Sequence, residues 1–182
     1  MKDFGILNNQ MALTLQVTDE DRQIAWLAAL AIAIHILESG IPSPLPGIKP
    51  GLANIVTLLV LFRFGWRYAA WVSGLRVLAG SLLLGTFMSP TFFLSLAGAV
   101  ASIAAMGLLW LLPRDWFGVY GFSILAAVCH ICAQLYIAWL LFIPHTMILK
   151  LLPILITAGI IFGIVNAIIT LSIQERLREP CV

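Results

Sequence analysis

The stretch ESGIPSPLPGIKPGLANIVTLL, residues 38–59, joins two strongly apolar segments and carries four prolines, three glycines, one carboxylate and one lysine. A plain membrane hairpin turns round with a few polar residues. Pro42, Pro44, Pro46 and Pro50 donate no backbone hydrogen bonds, and together they stiffen an extended path. The apolar run that follows covers only about 14 residues, 51–64, whereas a helix crossing the hydrocarbon core needs ~20. Residues 42–50 must then dip into the protein to make up the length. Irregular backbone at that depth is tolerated only where protein buries it or where it lines a watery cavity. The stretch reads as a rigid cover or re-entrant piece ahead of a short second helix; the alternative is a surface turn.

The rest of the chain sets this stretch in a membrane. Of 182 residues, 62% are hydrophobic and 10% charged, with a mean hydropathy of +1.05. Such a chain cannot cover itself with polar groups in water, so the bilayer is its solvent. Six apolar segments run over residues 24–41, 51–64, 66–85, 91–112, 118–142 and 146–173, predicting an all-α protein of six transmembrane helices. Residues 1–23 read as a cytoplasmic N-terminal segment that is not a cleavable signal, 24–173 as the membrane domain and 174–182 as a cytoplasmic tail. With six spans, Lys2, Arg22, Arg63, Arg67, Arg114, Arg176 and Arg178 share one side, against Lys49 and Lys150 on the other. The positive-inside rule places both termini in the cytoplasm and the proline-rich stretch outside. Basic residues exceed acidic ones by only two, which argues against nucleic acid as a partner.

A charge inside a bilayer costs ~2.5–3.5 kcal/mol on insertion scales, so each one needs a reason. Arg76 lies ten residues into the third segment, ~15 Å from its start, and must face the bundle interior. It is either an anion-binding residue or half of a structural ion pair, with Glu38 as the available partner. Glu38 follows His35 by one helical turn, and Asn54 sits on the first turn of the second helix just after Gly51. The start of that helix offers unpaired N–H groups and a positive dipole end. Glu38, Lys49 and Asn54 thus converge on an outward pocket, or else only satisfy the irregular loop. His130 and Gln134 share one face of the fifth segment near mid-membrane, while Asn166 reads as a bracing residue toward the cytoplasm. Ala25, Ala29 and Ala33 form a small-residue stripe on the first segment that lets another helix approach closely, and Ala28 and Ala31 widen it. Cys129 and Cys132 in the string CHIC read as packing residues, because one helical face cannot present both with His130 as metal ligands. The acidic cluster Asp19, Glu20 and Asp21 reads as a solvated helix start, and no nucleotide-binding or metalloprotease motif is present.

The string LESGIPSPLPGIKPGLANIVTLL, the arginine of GLRVLAGSLLLGT and the string FFLSLAGAVASIAAM together resemble the Gx transporter family, also named heptaprenyl diphosphate synthase component I. The resemblance covers residues 24–173, with GIKPGLANI as its most specific element. That family is similar to the substrate-binding S components of energy-coupling factor vitamin transporters. The resemblance implies a six-helix S-component-like bundle in a bacterial inner membrane. It implies a ligand near the outer face, in agreement with the site that the residues assemble from Glu38, Lys49 and Asn54; Arg76, His130 and Gln134 join these as candidate ligand-binding residues for a small anionic or polar-aromatic molecule. It also implies docking of a transmembrane coupling subunit with its ATPases on Ala25, Ala29 and Ala33. The family's second name implies an accessory subunit of isoprenoid or quinone synthesis, and some relatives suggest flavin- or quinone-linked electron transfer. Neither the residues nor the resemblance names the ligand or a cofactor.

Overall fold

A computed structural model of the protein describes residues 17–40, 51–113 and 117–178. Lys2, Lys49, Arg114, Cys181 and the prolines of 42–50 lie outside the described residues, as do the expectations that rest on them. Six α-helices stand among the described residues: α1 Asp19–Gly40, α2 Ala53–Phe64, α3 Trp66–Leu83, α4 Pro90–Trp110, α5 Val119–Ile137 and α6 Leu152–Arg178. Each falls on one of the six apolar segments. The stretches Asp19–Gly40, Pro90–Trp110, Val119–Phe142 and Thr146–Leu177 are long and apolar enough to cross a membrane. Large apolar side chains such as Trp26, Leu37, Trp71 and Leu83 point outward, as they do when lipid is the surrounding medium. This is an all-α, multi-pass membrane protein.

The helix ends follow local chemistry. Thr18 caps α1: its Oγ1 accepts from the Asp21 N–H at 3.2 Å, and the Asp21 carboxylate accepts from the Thr18 N–H at 3.0 Å. That reciprocal box starts α1 ahead of the apolar run. Ser89 caps α4 with Pro90 in its first turn. At the far end of α5 the chain passes through a π-helical turn, Ala138–Phe142, and a 3-10 segment, Thr146–Leu151, before α6 begins. The third helix is shorter than its apolar segment, ending at Leu83 where Leu84 and Gly85 turn with a positive φ of 65° at the glycine.

The second helix organises the bundle. All nine residues 53–61 are buried, and α2 packs against α1, α3, α5 and α6. A helix apolar all round belongs in the middle of a fold. Its 12 residues span only ~18 Å, against a hydrocarbon core of ~30 Å. One end is fixed by Gly65, whose φ of 98° turns the chain directly into α3 while its N–H bonds back to Val60 and Leu61. An L side chain is strained at that φ. The helix therefore begins well below the opposite surface.

The half of the bundle near Gly65 is filled. Phe62, Trp110 and Phe122 meet edge to face, with centroids 5.3 Å apart for Phe62–Phe122 and 6.3 Å for Trp110–Phe122. Val60, Leu61, Met106 and Leu109 complete this core. The fifth and sixth helices approach closely: a Cβ on Gly163 would lie 2.9 Å from the Ile124 Cα, and the Ser123 hydroxyl donates to the Gly163 carbonyl at 2.7 Å. Glycine and serine are the residues that permit such contact. The first helix corrects one expectation. Ala28 and Ala31 are buried in the core, whereas Ala25, Ala29 and Ala33 are exposed. At about 100° per residue the two sets lie on different sides of the helix, so Ala28 and Ala31 do not widen the stripe.

Candidate functional site

The other half of the bundle, around the start of α2, holds a partly enclosed cavity of about 70 Å³. All six helices reach it, with Gly51 just ahead of α2. The first helix contributes His35 and Glu38, the start of α2 contributes Gly51 and Asn54, and α3 contributes Arg76 and Val77. Ser95 comes from α4, His130 and Gln134 from α5, and Gly159, Phe162 and Asn166 from α6. Five of the six expected ligand-binding residues, Glu38, Asn54, Arg76, His130 and Gln134, thus line one cavity. The sixth, Lys49, lies outside the described residues.

The start of α2 is anchored from two directions. Leu52 opens the helix without a side-chain cap of its own. Its backbone N–H donates instead to the carboxylate of Glu38, which α1 delivers from 14 residues earlier. One of the four orphan N–H groups of a helix start is thereby satisfied by a charged acceptor. On the other side, the Asn166 side-chain amide donates to the Gly51 carbonyl at 3.2 Å. Glu38 is 3% exposed and Asn166 is 3% exposed, so both anchors are buried.

Two histidines are seated on glycines. A Cβ on Gly98 would lie 2.6 Å from the His130 ring, and one on Gly80 would lie 2.5 Å from that of His35. Those glycines leave the space into which the rings turn, and both histidines line the cavity. Arg76 is 5% exposed and feels the Glu38 carboxylate as its favourable charge. Among the described residues the cavity wall thus carries one guanidinium and one carboxylate.

The polar atoms are incompletely paired. Asn54 Oδ1, Arg76 Nε, His130 Nδ1 and Asn166 Oδ1 are buried and have no hydrogen-bond partner, and all four residues line the cavity. A buried unsatisfied polar atom costs about 1–3 kcal/mol, and such atoms call for an occupant or a water. These four belong to side chains that line one cavity, and none has appreciable accessible surface of its own.

Sequence reasoning missed part of this wall. Asn166, placed toward the cytoplasm, lines the cavity, because α2 starts so deep that the cavity extends down to it. Its contact with Gly51 bridges 115 positions and has no local signal. Ser95, Gly159 and Phe162 carry no sequence pattern that separates them from ordinary packing residues. The small-residue stripe Ala25, Ala29 and Ala33 lies on the outer side of α1, away from the cavity.

No curated protein and no solved structure matches the chain. The family model for heptaprenyl diphosphate synthase component I matches residues 27–173, from the third turn of α1 into the last turns of α6. That match takes in every residue of the cavity wall and most of the chain, and the protein belongs to the heptaprenyl diphosphate synthase component I family.

Proposed function

We propose that this protein is the substrate-binding membrane subunit of a small-molecule uptake system, working with separate energising subunits. The observation that carries this reading is a partly enclosed cavity lined by Glu38, Asn54, Arg76, His130 and Gln134, polar and charged side chains that are costly at membrane depth. A partly enclosed, largely apolar cavity with a few convergent polar groups suits capture of a small molecule, and it lies at the α2-start end of the bundle. The positive-inside bias would put that end outside the cell, with both termini in the cytoplasm of a bacterium. Glu38, Asn54, Arg76, His130 and Gln134 would contact the ligand, with Lys49 at the rim. Ala25, Ala29 and Ala33 would receive a transmembrane coupling subunit that brings the ATPases, since this exposed stripe lets a second helix approach closely.

The family description favours a second reading, an accessory membrane subunit of heptaprenyl diphosphate synthesis. The two part on what the protein holds. Mass spectrometry of small molecules retained by protein purified in mild detergent tests them. The uptake reading expects one polar compound at near-equimolar amount. A retained prenyl diphosphate, or co-purification with a soluble prenyl synthase subunit, would favour the second.

A further inference from the structure

The string FRFGWRYAAW, residues 62–71, interleaves arginine with aromatic side chains across the turn from α2 into α3. Because α2 ends and α3 begins there, the turn stands at the end of the bundle opposite the cavity. An open groove of about 290 Å³ lies beside it, lined among the described residues by Trp66, Arg67, Ala70 and Trp71. One wall is held in place. The Trp66 indole N–H donates to the Ile103 carbonyl of α4 at 3.0 Å, and a Cβ on Gly107 would lie 2.6 Å from the indole nitrogen. The other wall, Trp71, is 70% exposed.

Arg67 is exposed and forms no ion pair among the described residues. It heads an apolar track. Arg67, Trp71, Gly74, Leu78 and Leu82 follow one another at three- or four-residue spacing, so they share one face of α3. Trp71, Leu78 and Leu82 are exposed. Among the described residues no side chain and no other element comes within 4 Å of a Cβ built on Gly74, which leaves the track open along the helix.

The dimensions match a lipid. From Trp66 to Trp71 the helix rises ~7.5 Å, and the headgroup layer of one leaflet is ~5–8 Å thick. The groove therefore spans the layer that holds the phosphates, where indoles also settle, and Leu78 and Leu82 lie at the depth of acyl chains. A guanidinium offers phosphate a fixed fork of N–H groups. A zwitterionic head would bring a second cation beside Arg67, whereas an anionic head brings none.

We infer that the groove between Trp66 and Trp71 binds one anionic phospholipid, with its phosphate on the Arg67 guanidinium and an acyl chain along Trp71, Gly74, Leu78 and Leu82.

Native mass spectrometry of the full chain, released from nanodiscs of equal parts phosphatidylglycerol and phosphatidylcholine, counts the lipids it retains. One retained phosphatidylglycerol is expected, favoured at least about fivefold over phosphatidylcholine, the effect of one arginine at an anionic surface. Arg67→Gln should bring the two lipids to parity, and Trp71→Ala should lower retention of both. Arg176→Gln removes an exposed arginine that does not line the groove and should change neither. The comparison of lipids on wild type needs no variant, and thermal unfolding checks that each variant is folded. Equal retention of the two lipids by wild type would overturn the inference, as would a preference that survives in Arg67→Gln or retention unchanged in Trp71→Ala. Displacement of the lipid by glycerol phosphate would assign the groove to a free phosphate compound, and a protein that co-purifies with wild type and is lost in Trp71→Ala would assign it to a protein partner. Either result also overturns the lipid site.

Discussion

Asn166 of α6 donates its side-chain amide to the carbonyl of Gly51 at 3.2 Å, tying the sixth helix to the first turn of the second. Leu52, the next residue, is held from α1 by the Glu38 carboxylate. The start of α2 therefore hangs between two distant helices inside the bundle, and the cavity exists because that start is fixed there. Asparagine and glutamate are costly at this depth, and their bonds to backbone groups explain why they are tolerated.

Glu38 serves as a cap for α2 and as the counter-charge of Arg76. Replacing it with alanine removes both, whereas Glu38→Gln keeps the acceptor and removes the charge. Thermal unfolding in detergent should show Glu38→Ala less stable than Glu38→Gln, by about 1–2 kcal/mol for the lost cap. Equal melting temperatures would mean that the cap contributes little and the charge carries the effect.

Gly98 gives His130 its space. Alanine there puts a Cβ within 2.6 Å of the ring, so the ring must leave its place in the wall. Gly98→Ala should destabilise the protein by about 1–3 kcal/mol, the usual cost of overpacking. In a double-mutant cycle, His130→Ala should remove most of that penalty. Additive effects would show that the ring moves aside freely.

The two sets of alanines on α1 make an opposed pair of predictions. Ala31 is fully buried against the core, so Ala31→Leu should cost about 1–3 kcal/mol of stability through overpacking. Ala29 is exposed, so Ala29→Leu should leave the melting temperature unchanged. If the stripe docks a coupling subunit, Ala29→Leu should also abolish co-purification of ATPase subunits from native membranes. Unchanged co-purification would remove the stripe from the docking surface.

Orientation can be read by cysteine labelling in intact cells, with the native cysteines replaced by alanine. Met88 in the α3–α4 connection and Leu111 at the end of α4 are both exposed, at opposite ends of the bundle. A membrane-impermeant reagent should label Met88→Cys and spare Leu111→Cys. The opposite pattern would invert the protein and make the cavity face the cytoplasm.

The six segments, the short second helix and an inward Arg76 were legible in the sequence because each is a one-dimensional signal. Apolar runs mark spans, and a charge deep in such a run must face inward. His130 and Gln134 were readable as a pair because helical spacing puts them on one face. The depth of the cavity was not readable, since it depends on where α2 starts relative to α6, and the Asn166–Gly51 bond that reports it spans the chain. The separation of Ala28 and Ala31 from Ala25, Ala29 and Ala33 was computable from helical geometry, but which set faces the core depends on α3 and α2 packing against it. Ser95 and Phe162 belong to the wall only because of that three-dimensional arrangement.

The most direct test of the central claim compares wild type with Arg76→Ala, both purified in mild detergent, by mass spectrometry of retained small molecules. Thermal unfolding and gel filtration confirm that each sample is folded. If the cavity around Arg76, Asn54 and Asn166 is a binding site, wild type should carry one polar compound at near-equimolar amount, and folded Arg76→Ala should lose at least about 90% of it, a change of ~1.4 kcal/mol or more in binding. The same compound at equal amount in both proteins would contradict the account, as would its absence from wild type.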